Sequence, residues 1–274
     1  MYSCWPKSET NMSTIVLAHG LFGFGDLIPG FTFINYFNGV KTHLELQGHD
    51  VIAPTVNPIG SIATRAKELA DKVLQDSKVS TGMHIIAHSM GGLDARQALA
   101  TNDDFRGRIA TLVTIGTPHM GSKVANFVVK VAGPFLIIPD FLKPILHDNA
   151  GAIKELTTGF CEGFNDQTKN AEARHDIRYI EVAGDKSQTS SGFDFFNAAA
   201  RIGGIDNEVN DGVVAKSSAL REGHEHLANW PVDHVGEIGW SKDSLAPIDE
   251  KVSTKLSPAA QQHLARYDDI VNRL

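Results

Sequence analysis

Ser89 lies in Ile85-Ile-Ala-His-Ser-Met-Gly-Gly92, where an apolar run meets a serine with small residues, Ala87 and Gly91, two places before and after it. That spacing is the nucleophile-elbow pattern, with A-x-S-x-G in place of the usual G-x-S-x-G. A serine there sits on a tight turn from strand to helix, and bulky neighbours at those two positions would keep strand and helix apart. Its hydroxyl stands above the sheet, and the helix N-terminus behind it favours developing negative charge. A serine hydroxyl becomes a useful nucleophile only when a base takes its proton, and the base needs a carboxylate to hold its tautomer. With an elbow of this kind the chain order is serine, carboxylate, histidine.

Downstream of Ser89 the histidines are His119, His147, His175, His224, His226 and His234. His119 follows too closely behind the next strand, and His147 falls in an apolar insertion. His224 and His226 flank the charged run Arg221 to Glu225, which reads as solvated surface. His234 occupies the turn-rich Trp230-Pro-Val-Asp-His-Val-Gly, late in the chain where a base-bearing loop belongs. It is the favoured base, with His226 as the alternative. Two carboxylates compete for the acid. Asp185 ends a strong strand through Gly184, whereas Asp211, in Glu208-Val-Asn-Asp-Gly-Val-Val, is equally an ordinary turn aspartate. An oxyanion hole needs one backbone N–H after the first strand and one after the nucleophile. Leu21, in His19-Gly-Leu-Phe-Gly23, and Met90 are the expected donors. His19 reads as a structural histidine bonded to its own loop.

The elements that must position these residues alternate. Strands are expected over Thr14–Ala18, Val51–Ala53, Met83–Ala87, Thr111–Ile115 and Ile177–Ala183, and helices over Phe33–Gln47, Ile62–Ser77, Met90–Thr101 and Pro258–Leu274. The alternation predicts an α/β fold: one mostly parallel sheet with helices on both faces. Ile62, Ala66, Leu69, Ala70 and Val73 form one helix face, and Ser257-Pro258 is a good start for the last helix. Val124–Leu146 breaks the pattern. It is strongly apolar, carries only Lys130, Asp140 and Lys143 as charges, and is cut by Pro134, Pro139 and Pro144. Those prolines and charges exclude a membrane-spanning helix. A core helix with a buried connection and a movable cap both fit, and the position just after the nucleophile favours the cap, an insertion over 120–160.

At 274 residues and 42% apolar content the chain can bury one sizeable core, so residues 1–274 are read as a single domain. The net charge of -7 and the lack of a basic stripe make nucleic acid and anionic membranes poor partners. Cys4 and Cys161 lie too far apart in sequence for a disulfide framework or a zinc ribbon. Two unpaired thiols are expected, with a single bridge between them as the alternative. Met1 to Asn11 is polar with no apolar signal region, so the expectation is an intracellular protein or a mature secreted form.

With these residues in view, the chain resembles the bacterial true lipases of the Pseudomonas, Burkholderia and Proteus type, within the α/β-hydrolase superfamily. The matching pieces are Leu17-Ala-His-Gly-Leu, Ala87-His-Ser-Met-Gly-Gly-Leu, Thr114-Ile-Gly-Thr-Pro-His-Met-Gly-Ser, Leu156-Thr-Thr-Gly-Phe, Asn210-Asp-Gly-Val-Val and Asp233-His. They run in the family's order over most of Ser13 to Ile238. The Gly-Thr-Pro-His-x-Gly-Ser stretch is the most specific, because general hydrolase geometry does not demand it. The resemblance implies an α/β-hydrolase fold, a lid after that stretch, and Asp211 rather than Asp185 as the acid. It also implies hydrolysis of lipid esters without a cofactor, and transient contact of the lid with a lipid interface. The family's bacterial members often bind calcium through a residue two places after the catalytic histidine. That place is Gly236 here, which offers no carboxylate, leaving Asp194 or Asp206 for a different site. The disulfide of some members has no matching pair. The alternatives are a short-chain carboxylesterase, lactonase, polyester depolymerase or acyltransferase using the same triad, and, remotely, a catalytically silent binding protein.

Overall fold

The computed structural model describes residues 12–21, 35–131, 150–174, 176–185, 201, 204–205, 207–240, 248 and 256–274. The described strands are β1 (Thr14–Ala18), β2 (Asp50–Ile52), β3 (Met83–His88), β4 (Ile109–Ile115), β5 (Arg178–Val182) and β6 (Glu225–His226). The helices are α1 (Val40–Leu46), α2 (Ile62–Gln75), α3 (Met90–Thr101), α4 (Asp103–Arg106), α5 (Lys123–Val131), α6 (Ala150–Lys154), α7 (Thr158–Glu172), α8 (Lys216–Ala219) and α9 (Pro258–Val271). The strands form one sheet in the order β2-β1-β3-β4-β5-β6, with every ladder parallel.

The central strands β1, β3 and β4 are buried along almost their whole length because both faces are covered. Ile15, Leu17, Ile86, Val113 and Ile115 join one apolar layer with Val40 and Leu44 of α1 and Leu264, Tyr267 and Ile270 of α9. Val16, Ala18, Ile85, Ala87 and Leu112 join the other, with Ala66, Leu69 and Val73 of α2 and Ala95, Ala98 and Leu99 of α3. From β1 the chain passes to β2 on one side and then returns to β3 on the other. Strand order reverses there, and the crevice at the carboxyl ends of the strands is where open α/β sheets bind ligands. The loop at His19–Leu21 and the turn at Ser89 both open into it.

Several boundaries differ from the sequence reading. In the described residues the first helix begins at Val40 rather than Phe33, because Gly39 turns with φ 78°, outside the helical region. Helix α2 stops at Gln75, where Asp76 is extended and its Oδ1 accepts the Lys78 amide at 2.8 Å. Glu225–His226 is the last described strand; of the charged run before it, Arg221 is buried while Glu222 and Gly223 are exposed, as is His226. Helix α7 was not expected. Gly159, Gly163 and its Thr and Asn residues lower helix propensity, yet Cys161, Phe164, Thr168 and Ala171 recur at helical spacing and are the buried face.

Helix α5 lies within the expected cap. Val124 packs with Ile205 and Ala215, while Ala125 packs with Ile62, Met90 and Phe164. Asn126 fastens it to the start of α7, donating to Thr158 Oγ1 at 2.8 Å and accepting the Thr158 amide at 2.9 Å. Residues 132–149, with the three prolines of that segment and His147, fall outside the described residues, as do His175, Asp194, Asp206 and Cys4. Cys161 is a buried thiol pointing to the Pro118 carbonyl at 3.5 Å, its pKa pushed up to about 12 by burial. Among the described residues no helix is long and apolar enough to cross a membrane.

Candidate active site

Ser89 follows β3 directly and precedes α3, with φ 56° and ψ -131°. Among the described residues it is the one non-glycine with positive φ. Such a conformation costs on the order of 1–3 kcal/mol and persists only where its surroundings enforce it. The sequence shows how. Ala87 is fully buried, and a Cβ on Gly91 would come within 2.5 Å of the Ala18 carbonyl oxygen, so larger residues would push α3 off β1. Thr117 Oγ1 donates to the Ser89 carbonyl at 2.8 Å, tying the turn to the Gly-Thr-Pro-His stretch after β4.

The structure brings Ser89, His234 and Asp211 together. His234 Nδ1–H donates to Asp211 Oδ2 at 2.8 Å, which leaves Nε2 bare to accept the Ser89 hydroxyl at 2.9 Å. The His234 amide also donates to the Asp211 carbonyl at 2.9 Å. Asp211 is buried, and its second oxygen, Oδ1, accepts the amides of Val213 at 2.8 Å and Val214 at 2.7 Å. Asn210 shapes the same turn by accepting the Gly212 amide at 2.8 Å. Ser122 Oγ donates to the Val213 carbonyl at 2.7 Å, and Ser218 Oγ to the Gly121 carbonyl at 2.6 Å. The Gly-Thr-Pro-His-Met-Gly-Ser segment thus braces nucleophile and acid turn together.

The competing residues lie elsewhere. Asp185 is exposed. His226 sits in β6 with Nε2 facing the Arg221 carbonyl at 2.7 Å. His224 Nδ1 lies 2.8 Å from Glu181 Oε1, in a buried ionic cluster that the sequence reading took for solvated surface. There Arg221 donates to Glu181 at 2.6 Å and to Glu172 at 2.8 Å, and Arg96 donates to Glu172 at 2.6 Å and to His119 Nδ1 at 3.2 Å. His119 is held neutral by full burial and the neighbouring Arg221.

The expected oxyanion donors are Met90, which follows Ser89, and Leu21, which follows Gly20 beside it. Met90 opens α3, whose first N–H groups have no partner within the helix. Leu21 is half-buried against Ile62 and Met90, and a Cβ built on the preceding Gly20 would lie 2.8 Å from Ser89 Cβ. His19 takes no part in the relay. Its Nε2 accepts the Val56 amide at 3.0 Å, so Nδ1–H donates to the Gly20 carbonyl at 2.9 Å. Burial, then the charge of Arg65, lower its pKa to about 4.

Sequence reasoning missed a second layer behind the base. Tyr36 O–H donates to His88 Nδ1 at 2.7 Å, and His88 Nε2–H reaches the His234 carbonyl and Glu237 Oε2, both at 3.0 Å. Full burial keeps His88 neutral. Glu237, on the 3-10 turn Gly236–Ile238, lies 3.4 Å from His234 Nδ1. Burial first, and the charges of Asp211 and Asp233 next, push its pKa well above the usual carboxyl value. Only its position three residues after His234 could have signalled it.

His88, His234 and Glu237 bring their ligand atoms within 4.8 Å of one another, a spacing a metal ion could use. The donor set does not fit one, because His88 Nε2 carries a proton and His234 Nδ1 is committed to Asp211. Gly236, at the place of the family's calcium ligand, brings no side-chain oxygen, and Asp233 Oδ1 beside it accepts the Gly236 amide at 2.8 Å; Asp194 and Asp206 lie outside the described residues.

This sheet and its neighbours define the α/β-hydrolase fold. The mature Bacillus licheniformis lipase superposes on it with a TM-score of 0.66 at 23% identity, covering 88% of this chain and 91% of its own. A family model described as a PGAP1-like alpha/beta domain matches residues 57–133, which include Ser89. The sequence is similar to triacylglycerol lipase 2 of Saccharomyces cerevisiae, 34% identical over 146 residues, or 50% of this chain and 43% of that one. It is also similar to a triacylglycerol lipase of Vibrio cholerae, 28% identical over 254 residues, covering 82% of this chain and 78% of that one. The chain thus spans less than half of the yeast relative and most of the Vibrio one.

Proposed function

We propose that this chain is a serine carboxylic ester hydrolase of the lipase type. The observation that carries the proposal is the unbroken relay from Ser89 Oγ through His234 to Asp211, set on a backbone turn that no ordinary serine adopts. In this reading Ser89 Oγ attacks the ester carbonyl while His234 Nε2 takes its proton. Asp211 holds the ring and stabilises the imidazolium. The Leu21 and Met90 amides hold the oxyanion. His234 then gives its proton to the leaving alcohol, and water releases the acid from Ser89 by the same steps. No metal takes part.

The substrate class follows from the similarity to triacylglycerol lipases: esters of fatty acids. In this reading helix α5 and the start of α7 belong to the cap. Met120, Val129 and Phe160, large apolar side chains exposed in that region, are the surface that meets lipid when the cap moves. Hydrolysis of p-nitrophenyl esters from acetate to palmitate, with Ser89→Ala as the blank, tests the proposal. Activity confined to wild type and greatest on long chains supports the lipase reading. A short-chain maximum makes the protein a carboxylesterase with a fixed cap. No activity at any length overturns the proposal in favour of a silent binding protein.

A further inference from the structure

The guanidinium of Arg65 is fully buried on the inner face of α2, beside Ile62, Ala66 and Leu69. Desolvating such a charge costs several kcal/mol, and a well-packed apolar residue usually serves stability as well. Its hydrogen bonds show where the charge is used. Nε donates to Asp94 Oδ2 at 2.8 Å, and Nη1 to the Asn57 carbonyl at 2.7 Å. Nη2 donates to the carbonyls of His19 at 2.8 Å and Gly20 at 3.1 Å. Asp94 sits on α3 and is itself buried, so the anchor belongs to the helix that begins at the nucleophile.

We infer that Arg65 is a positioning residue for the oxyanion hole, clamping the loop after β1 so that the Leu21 amide faces Ser89; the inference rests on the hydrolase reading above. The planarity of one peptide bond sets the direction of the Leu21 N–H. In a trans peptide the carbonyl and the next N–H point in opposite directions. The Gly20 carbonyl is held from one side by two donors, Arg65 Nη2 and His19 Nδ1. The Leu21 N–H is therefore turned to the opposite side, and Gly20 itself packs directly against Ser89. Without the guanidinium this peptide can rotate and withdraw one oxyanion donor, a loss typically worth about a hundred- to a thousand-fold in rate.

The test compares wild type with Arg65→Met, Arg65→Lys and Asp94→Asn. Two readouts are taken: kcat and KM on p-nitrophenyl butyrate per folded molecule, and amide hydrogen exchange of the segment Leu17–Leu21. Arg65→Met is expected to lower kcat about a hundred-fold while KM stays within about three-fold, with faster exchange in Leu17–Leu21 and unchanged exchange in Ile85–Ala87. Arg65→Lys, which can hold one carbonyl, recovers part of both. Wild-type kcat in folded Arg65→Met, or a loss carried by KM, overturns the inference. Where the Arg65 variants do not fold, Asp94→Asn decides. It keeps the shape of the anchor without its charge and is expected to lose about ten-fold in kcat, with faster exchange in the same segment. Wild-type values of both in Asp94→Asn also overturn the clamp. Absence of ester hydrolysis in wild type overturns the hydrolase reading instead, and hydrogen exchange then still decides the clamp.

Discussion

Asp211 performs two tasks with one carboxylate. Its Oδ1 closes the turn with the Val213 and Val214 amides, while Oδ2 orients His234. That double use explains why sequence alone left it level with Asp185: the Asp-Gly turn signal is real and also conceals the second role. Asp211→Asn is expected to cost roughly ten-thousand-fold in kcat by the triad precedent, and Asp185→Asn close to nothing. Kinetics of the two variants with the effects reversed would refute the assignment. Glu237 was barely legible, since a glutamate in a late turn carries no pattern beyond its place three residues after His234. Its folded pKa is raised, so as pH climbs from the ordinary carboxyl value the native state keeps a proton that the unfolded chain releases, and stability falls. Glu237→Gln removes that slope. The stability gained over wild type should therefore grow as pH rises from the ordinary carboxyl range upward in denaturant titrations. Parallel curves for the two proteins would mean that Glu237 is ionised in the fold.

At the scale of elements, the reversal of strand order sets the site. Because β1 and β3 are neighbours, the loop after one and the turn after the other arrive side by side. Gly91 is the contact that this arrangement demands, and Gly91→Ala is expected to lower stability by about 1–3 kcal/mol, with loss of ester hydrolysis from the displaced turn. A thermal melt unchanged from wild type would show that α3 has room to spare. Strands β1, β3 and β4 were legible because their short, mostly apolar runs are buried on both faces. Helix α7 was hidden by its glycines and β-branched residues, and β6 by the charged run before it, in which Arg221 pairs with buried Glu181 and Glu225 with Arg178. Arg65 shows the same limit: it is buried on α2 between Ile62 and Leu69, and an arginine there carries no sequence signal of its role.

For the whole molecule, alternation and composition were enough to anticipate one sheet clothed on both sides, since parallel strands need crossovers and the apolar content can fill two layers. In the proposed cap, α5 is bound to α7 through Asn126 and Thr158. Asn126→Ala removes both bonds and is expected to loosen α5, giving faster proteolysis within 120–131 at little cost to the melting temperature of the sheet. A resistant α5 would argue for a fixed cap. The central claim is that Ser89 is an activated nucleophile, and labelling with a fluorophosphonate followed by peptide mass spectrometry tests it most directly. The account predicts a single adduct on Ser89, absent in Ser89→Ala and formed at least about a hundred-fold more slowly in His234→Ala. An unlabelled wild-type protein, or an adduct on any other residue, would contradict it.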